Sequence, residues 1–491
     1  MNGPFLSMIF FFIYTILMIY SARNGFYSTY SAEDFFLAGR SLNSFFSTAT
    51  FLATWFSAAS ILGLGGYVYA YGVAGVVYSI IPWFSGALFL LLISSRLKEN
   101  FNSIYTYPEF FTLRYNSRIM QICSAIIMIF SYLFYITMQI KGFGLVMSTL
   151  LDIPYTAAIF LIYLYILYTT FGGLFSVVKT DAINAFIIFF SFITFGIYII
   201  VNNSGILNIV DKASTLSSVP INGWNVKTPE GGLLDPFCKG LQDPTYLLTS
   251  FFGWGLGLAS NPQYVIRIIS AKDKATSKKM IIFSILLLSI IYTSIIFASI
   301  GLRVMIPSSP QVNSIDEIIP TLIKSIFPGY LNGLFLVGVI ASSISTANSE
   351  LLLIANSFTY DILKNYKKGM SEEELLNLNR FTIAIAGTIS LLLSFNPPKS
   401  LIEFGGNIWG IFSSCAFVPL YAGVVLKSAD KTAGELSFVS GLIFYITFML
   451  FQSFGKIPVL SDIHPGLIGF SASLLAFLIA EWRSRNAKYR T

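Results

Sequence analysis

Apolar runs of roughly 20 residues, the length an α-helix needs to cross a bilayer, recur thirteen times along the chain, the first over 5–21 and the last over 466–482. Three of them depart from a plain lipid-facing pattern. The second run holds SILGLGGYVYAYG, with Gly63, Gly65 and Gly66; the seventh holds GWGLGLASNP, with Gly253, Gly255, Gly257 and Pro262. The ninth holds GVIASSISTANSELLL, where only Ile344 and Ala347 are apolar between Ser342 and Glu350. At 100° per residue, Ser342, Ser345, Thr346 and Ser349 follow the i, i+3, i+4, i+7 spacing and line one helix face. Polar groups in lipid are costly and mark functional positions. Hydroxyl and carbonyl oxygens suit a weakly held, partly dehydrated monovalent cation, whereas a tight divalent site draws on several carboxylates; Na⁺ is the natural candidate.

The two glycine-rich runs stand five spans apart and start from opposite faces of the membrane. That arrangement predicts a five-plus-five inverted repeat in which the first helix of each half is interrupted near the midplane. Interruption frees backbone carbonyls that lipid cannot satisfy. The expected organisation is an extra helix and entry segment (1–43), a first repeat (44–201), an outer loop (202–245), a second repeat (246–426), and two closing helices with a short tail (427–491). The outer loop, with Pro220, Gly223, Pro229 and Gly231, is expected to form a cap containing some short helix. Glu372, Glu373 and Glu374 read as a solvated helix start.

Composition agrees: 55% of the 491 residues are hydrophobic and 11% charged, an all-α polytopic membrane protein rather than a soluble fold. The formal charge of +7 is a matter of placement. Cations crowd one side of the predicted topology, among them Arg23, Arg96, Lys98, Lys179, Arg267, Lys272, Lys278, Lys368, Arg380, Arg483 and Arg490. Lys212, Lys227, Lys239, Arg303, Lys324, Lys399 and Lys456 lie on the other. The threefold bias puts the first side in the cytoplasm, the N-terminus outside and the C-terminus inside, with no need of a nucleic acid partner. Cys123, Cys238 and Cys415 suggest no disulfide framework, and the first apolar run reads as a retained helix of a cell-membrane protein.

Several motifs together resemble the sodium/solute symporters: FLAGRSL (36–42), FGGLFSVVKTDAINAF (171–186), GWGLGLASNPQYVIRIISAKD (253–273), and ASSISTANSELL followed by TYDILK (341–364). The resemblance implies a leucine-transporter-like core, symport of a small organic solute with Na⁺ by alternating access, and function as a single chain in the bilayer. It implies a sodium site from the carbonyls of Ala53, Phe56 and Ser342 and the hydroxyls of Ser345 and Thr346. A second sodium in some members maps onto Asp181, Ser345, Asn348 and Ser349, although ANSE here (347–350) replaces the more usual ADSQ. Trp254 and Tyr135 match pocket aromatics of the proline-transporting branch, and Ser57 a serine beside the cation. Leu258 and Trp55 replace that branch's tyrosine and aspartate, so proline does not carry over as the substrate.

Gln139, one turn from Tyr135, could hydrogen-bond a polar solute; Asn261, Asn407 and Trp409 are further candidates. Lys141, the one cation inside a predicted span, lies roughly 12 Å deep at 1.5 Å per residue. A buried lysine needs a partner: a substrate carboxylate, or an ion pair with Glu350 or Asp181. His464, the only histidine, reads as an inert outer-loop residue. An intramembrane enzyme lacks its machinery, with no HExxH, no G-x-S-x-G and no second histidine. Two other classes remain as alternatives, a proton-coupled transporter using Lys141, Asp181 or Glu350, and a transporter-like sensor.

Overall fold

A computed structural model of the chain describes residues 3–216, 228–307, 312, 314–364, 367, 369–427, 429–454 and 462–488. Pro220, Gly223, Lys227, Lys368, Lys456 and Arg490 lie outside them. No strand occurs among the described residues, beyond one isolated bridge between Leu42 and Ala271.

After α1 (Gly3–Phe26) and the short α2 (Ala32–Leu37), the second apolar run is two pieces. Asn43 caps α3 (Ser44–Trp55), its side chain accepting from the Phe46 amide. Phe56 then turns extended (φ −83°, ψ 102°), and the chain resumes through a wide turn at Ala59–Gly63 into α4 (Leu64–Tyr71), bent by 58°. Gly72 ends it at φ +61°, where a Cβ would stand 1.9 Å from the Leu233 carbonyl oxygen, so only glycine fits. There follow α5 (Ile81–Asn100), α6 (Glu109–Tyr115), α7 (Arg118–Leu151), α8 (Tyr155–Thr170), α9 (Gly173–Asn202) and, in the outer loop, α10 (Ile206–Thr215).

The seventh run is interrupted as well. Helix α11 (Pro244–Ser250), a wide turn at Phe251–Gly255 and α12 (Leu256–Ser260) lead to an extended Asn261 (ψ 128°); α13 (Pro262–Ser270) then starts on Pro262, which needs no amide partner there. Next come α14 (Lys274–Met305), α15 (Ile318–Ile326), α16 (Gly329–Asn356) and α17 (Glu372–Leu393). The acidic run begins α17 as expected, behind a Ser371 cap. The eleventh run bends by 45° between α18 (Leu401–Cys415) and α19 (Phe417–Val425). Pro419 has no N–H to give the Cys415 carbonyl, which accounts for the bend. Helices α20 (Lys431–Ser453) and α21 (Pro465–Lys488) pair with each other and lean on α18.

Helix α16 occupies the centre: 89% of its apolar window is buried, against 22% for α1 at the periphery. It packs on α1, α3, α7, α8 and α9, so the hydroxyl stripe faces protein and not lipid. At the cation-rich end, the start of α3 and the end of α13 are joined by backbone. The Lys272 amide donates to the Leu42 carbonyl at 2.9 Å and the Leu42 amide to Ser270 at 3.4 Å.

Two expectations need correction. His464 is fully buried; its ring sits where Cβ atoms at Gly253 and Gly410 would intrude, at 2.3 and 3.0 Å, and Nδ1 accepts from the Gly466 amide at 3.0 Å. It is a packing element between α21 and the broken seventh span. Arg267, counted among the membrane-face cations, is 2% exposed and lies inside the bundle.

Candidate functional site

Because α3 stops at Trp55, its last carbonyls have no helical partner. Those of Ala53 and Thr54 meet the stripe on α16. Ser345 Oγ lies 2.7 Å from the Ala53 carbonyl oxygen and 3.1 Å from that of Ser342. Thr346 Oγ1 lies 3.2 Å from the Thr54 carbonyl and 3.1 Å from Ser342. All five residues are fully buried. Three carbonyls and two hydroxyls thus share only two protons, leaving lone pairs in excess. Such a nest fits a small monovalent cation held by neutral oxygens; its donors include no carboxylate to demand a divalent one. Ala53, Ser342, Ser345 and Thr346 come together as expected, and Thr54 joins them unforeseen. Phe56 is the extended residue of the break, its ring against Phe192 and Tyr292.

The residues of the expected second sodium site divide. Asn348 turns the other way, its Oδ1 accepting from Thr169 (2.9 Å) and Thr170 (3.1 Å) of α8. Asp181 Oδ2 accepts from Thr50 at 2.6 Å and lies 3.5 Å from Arg267 Nη2. The same nitrogen donates to Ser349 Oγ at 2.6 Å and to Thr54 Oγ1. Glu350, one position on, is fully buried.

A step along the bundle, the aromatic candidates form one cluster. Trp254 and Trp409 meet edge to face at 5.0 Å, and Tyr135 stacks on Trp409 at 5.9 Å. Trp83, which sequence reasoning missed, meets Trp254 at 5.2 Å, and Tyr264 reaches Trp409 at 5.9 Å. Ser57 lies buried in the break itself, its amide donating to Ser60 Oγ at 3.3 Å. Gln139 Oε1 accepts the Ala58 amide at 3.0 Å, capping the resumed half of the broken helix. The indole N–H groups of Trp83, Trp254 and Trp409 and the Gln139 Nε2 are buried without a hydrogen-bond partner among the described residues. Buried donors left this way are expensive, so the cluster is equipped to meet hydrogen-bond acceptors.

The remaining candidates stand apart. Asn261 caps α13, accepting from Gln263 at 3.1 Å and from the Tyr132 hydroxyl at 2.6 Å. Asn407 lines a lateral groove between α7, α18 and α20. Lys141 pairs with neither Glu350 nor Asp181. Its ammonium donates to Asp316 Oδ2 at 2.5 Å and to the carbonyls of Pro398 (2.9 Å) and Lys399 (3.1 Å). Asp316 also accepts the Leu401 amide at 3.1 Å. The pair therefore clamps the 315–317 turn between α7 and the start of α18. The lysine lies in the half of α7 that leads to its C-terminal end at Leu151, away from the cation-rich end.

Two apolar helices interrupted along their length, one lending carbonyls to an oxygen nest and the other an aromatic wall, have the architecture of a secondary active transporter. The model of the sodium:solute symporter family matches residues 35–437, and the chain belongs to that family. It is 24% identical over 444 residues to the osmoregulated proline transporter OpuE of Bacillus subtilis, covering 88% of this chain and 86% of that one. It is 25% identical over 427 residues to the sodium/pantothenate symporter of Haemophilus influenzae, covering 86% and 84%. In fold it is similar to a substrate-bound, outward-open Na⁺-coupled sialic acid symporter, with a TM-score of 0.78, 19% identity and 97% of each chain covered.

Proposed function

We propose that this protein couples the inward movement of Na⁺ to that of a small organic solute by alternating access. The observation that carries the reading is the contact of Ser345 Oγ with the Ala53 carbonyl at 2.7 Å. It joins the broken helix to α16 through an oxygen nest that a sodium ion would tighten and its loss would loosen. Ala53, Thr54, Ser342, Ser345 and Thr346 hold the ion. The solute lies against Trp254, Trp409 and Tyr135, with Ser57 and Gln139 at the break. Donors dominate there, which favours a solute bearing acceptors, such as the carboxylate of an amino acid or another organic acid. The cation bias sets the N-terminus outside and the C-terminus in the cytoplasm. The driving force is the sodium gradient plus about 2.3 kcal/mol per charge per 100 mV of membrane potential. The chain works as a monomer in the cell membrane.

Proton coupling is a second reading, favoured by Glu350, both of whose oxygens lack a hydrogen-bond partner among the described residues. Uptake into proteoliposomes separates the two. A labelled panel of proline, pantothenate, short monocarboxylates, sialic acid and a hexose is offered with an inward Na⁺ gradient and then a matched K⁺ gradient. Accumulation of one compound only with Na⁺ supports sodium symport. Accumulation without Na⁺ that vanishes when a proton gradient is collapsed overturns it.

A further inference from the structure

A groove of about 970 Å³ opens on the flank of the bundle, enclosed by α1, α3, α9 and α14. Its lining is apolar but for Ser44 and Thr48 of α3. On α9 the lining residues Ile183, Phe186 and Phe190 follow Lys179 at i+4, i+7 and i+11; on α14, Phe283 and Leu287 follow Lys279 at i+4 and i+8. Each wall therefore carries a lysine on the groove's own face, one turn before the apolar lining begins. Both helices start at the cation-rich end, so both lysines stand at the same mouth. Lys279 is exposed, and Lys179 gives two of its three protons to the Asn24 carbonyl (2.9 Å) and the Ser28 hydroxyl (2.8 Å). Helix α3 begins here too, with Ser44 its first residue, and its N-terminal end adds partial positive charge. One turn further in, roughly 6 Å at 1.5 Å per residue, Thr48 Oγ1 is buried without a hydrogen-bond partner among the described residues. From Lys179 to Phe190 the wall runs roughly 16 Å, about half the thickness of a bilayer's hydrocarbon core.

We infer that this groove is a binding site for an anionic phospholipid of the leaflet at the cation-rich end. The chemistry along the groove follows the order of groups in such a molecule. The phosphate meets the two ammonium groups and the start of α3. An ester carbonyl, a step deeper, accepts from Thr48, and an acyl chain lies along the apolar walls for the depth of one leaflet. A zwitterionic headgroup brings its own cation to the lysines, and a sterol brings no charge at all, so the mouth selects net negative charge. The lipid rests on the half-helix whose last turn carries the Ala53 and Thr54 carbonyls.

Native mass spectrometry of the full chain tests this. Protein reconstituted in vesicles of equal palmitoyl-oleoyl phosphatidylglycerol and phosphatidylcholine, then extracted into detergent, should retain one phosphatidylglycerol per chain and exclude phosphatidylcholine. Lys179→Gln and Lys279→Gln should each lower retention about fivefold, whereas Arg483→Gln, which removes an exposed cation of α21, should leave it unchanged. Thr48→Val keeps the shape and should cost about fivefold. Ala182→Phe fills the groove with both lysines in place and should abolish retention. Equal retention of the two lipids overturns the inference, as does a double lysine variant that retains phosphatidylglycerol in full. Retention that survives Ala182→Phe places the lipid elsewhere; if that variant does not fold, unchanged retention in Thr48→Val overturns the placement instead. A lipid-free dimer would give the groove to a second copy of the chain and overturn the inference as well.

Discussion

Lys141 and Asp316 meet at 2.5 Å, both buried, although 175 positions separate them in the chain. The contact fastens a short turn between two transmembrane helices, and its partners are all protein. That distinguishes it from a lysine waiting for a substrate carboxylate.

Lys141→Met and Asp316→Asn should each lower stability by about 3–5 kcal/mol, the cost of stranding one member of a buried pair. Replacing both with apolar residues should restore most of the loss. Thermal unfolding in detergent reads this directly. Uptake of acidic and neutral solutes should fall together; selective loss of the acids would return Lys141 to the substrate site.

Ser345→Ala removes the hydroxyl that joins α16 to the Ala53 carbonyl. A hydrogen bond or ligand to a charged group is worth about 1.5–3 kcal/mol, which predicts roughly a 10- to 150-fold rise in the Na⁺ concentration needed for half-maximal uptake. An unchanged sodium dependence would move the ion elsewhere.

Trp254→Phe and Trp409→Phe keep a ring and delete an indole N–H. If those donors meet the solute, each should raise the half-saturating solute concentration about tenfold, near 1.4 kcal/mol. The sodium dependence should stay in place. A change in sodium affinity with solute affinity intact would assign the indoles to the helix break instead.

Gly66→Ala introduces a Cβ that would stand 2.1 Å from the Ile315 carbonyl oxygen. Backbone must move to admit it, at a cost of about 1–3 kcal/mol. Since Ile315 neighbours Asp316, the variant should loosen the Lys141 clamp, lowering the unfolding temperature and uptake together. Gly205→Ala, with nothing within 4 Å, is the control for a glycine change outside the clamp, its own cost confined to a backbone held at φ +104°.

The helices, the two breaks and the oxygen-lined face of α16 were legible because lipid makes polar exceptions conspicuous. Glycines in an apolar run and hydroxyls at helical spacing stand out whatever the tertiary contacts. Arg267 was misread because an arginine five residues before Lys272 looks like one more anchor at the membrane face. Gln263 one turn earlier, in an otherwise apolar helix, was the available hint that this face is wet with protein oxygens. Asp316 was missed because its partner is remote in sequence and it lies in a loop, where an acid costs nothing to place. Thr54 and Trp83 were invisible for the opposite reason: a threonine or tryptophan among apolar residues breaks no rule. Asn348 shows the limit of motif transfer, since a family position was matched while its helix face points to α8.

The backbone tie between Leu42 and Ala271 constrains how the cation-rich side can open. It joins the cation-rich half of one broken helix to the cation-rich half of the other at their far ends. Swinging α3 away while α13 stays put would sever two amide contacts at the point of greatest leverage. The two half-helices are therefore tied at that end, and Arg267 and the Ala53 and Thr54 carbonyls sit on the tied pair, whereas the Ser345 and Thr346 hydroxyls that face them belong to α16.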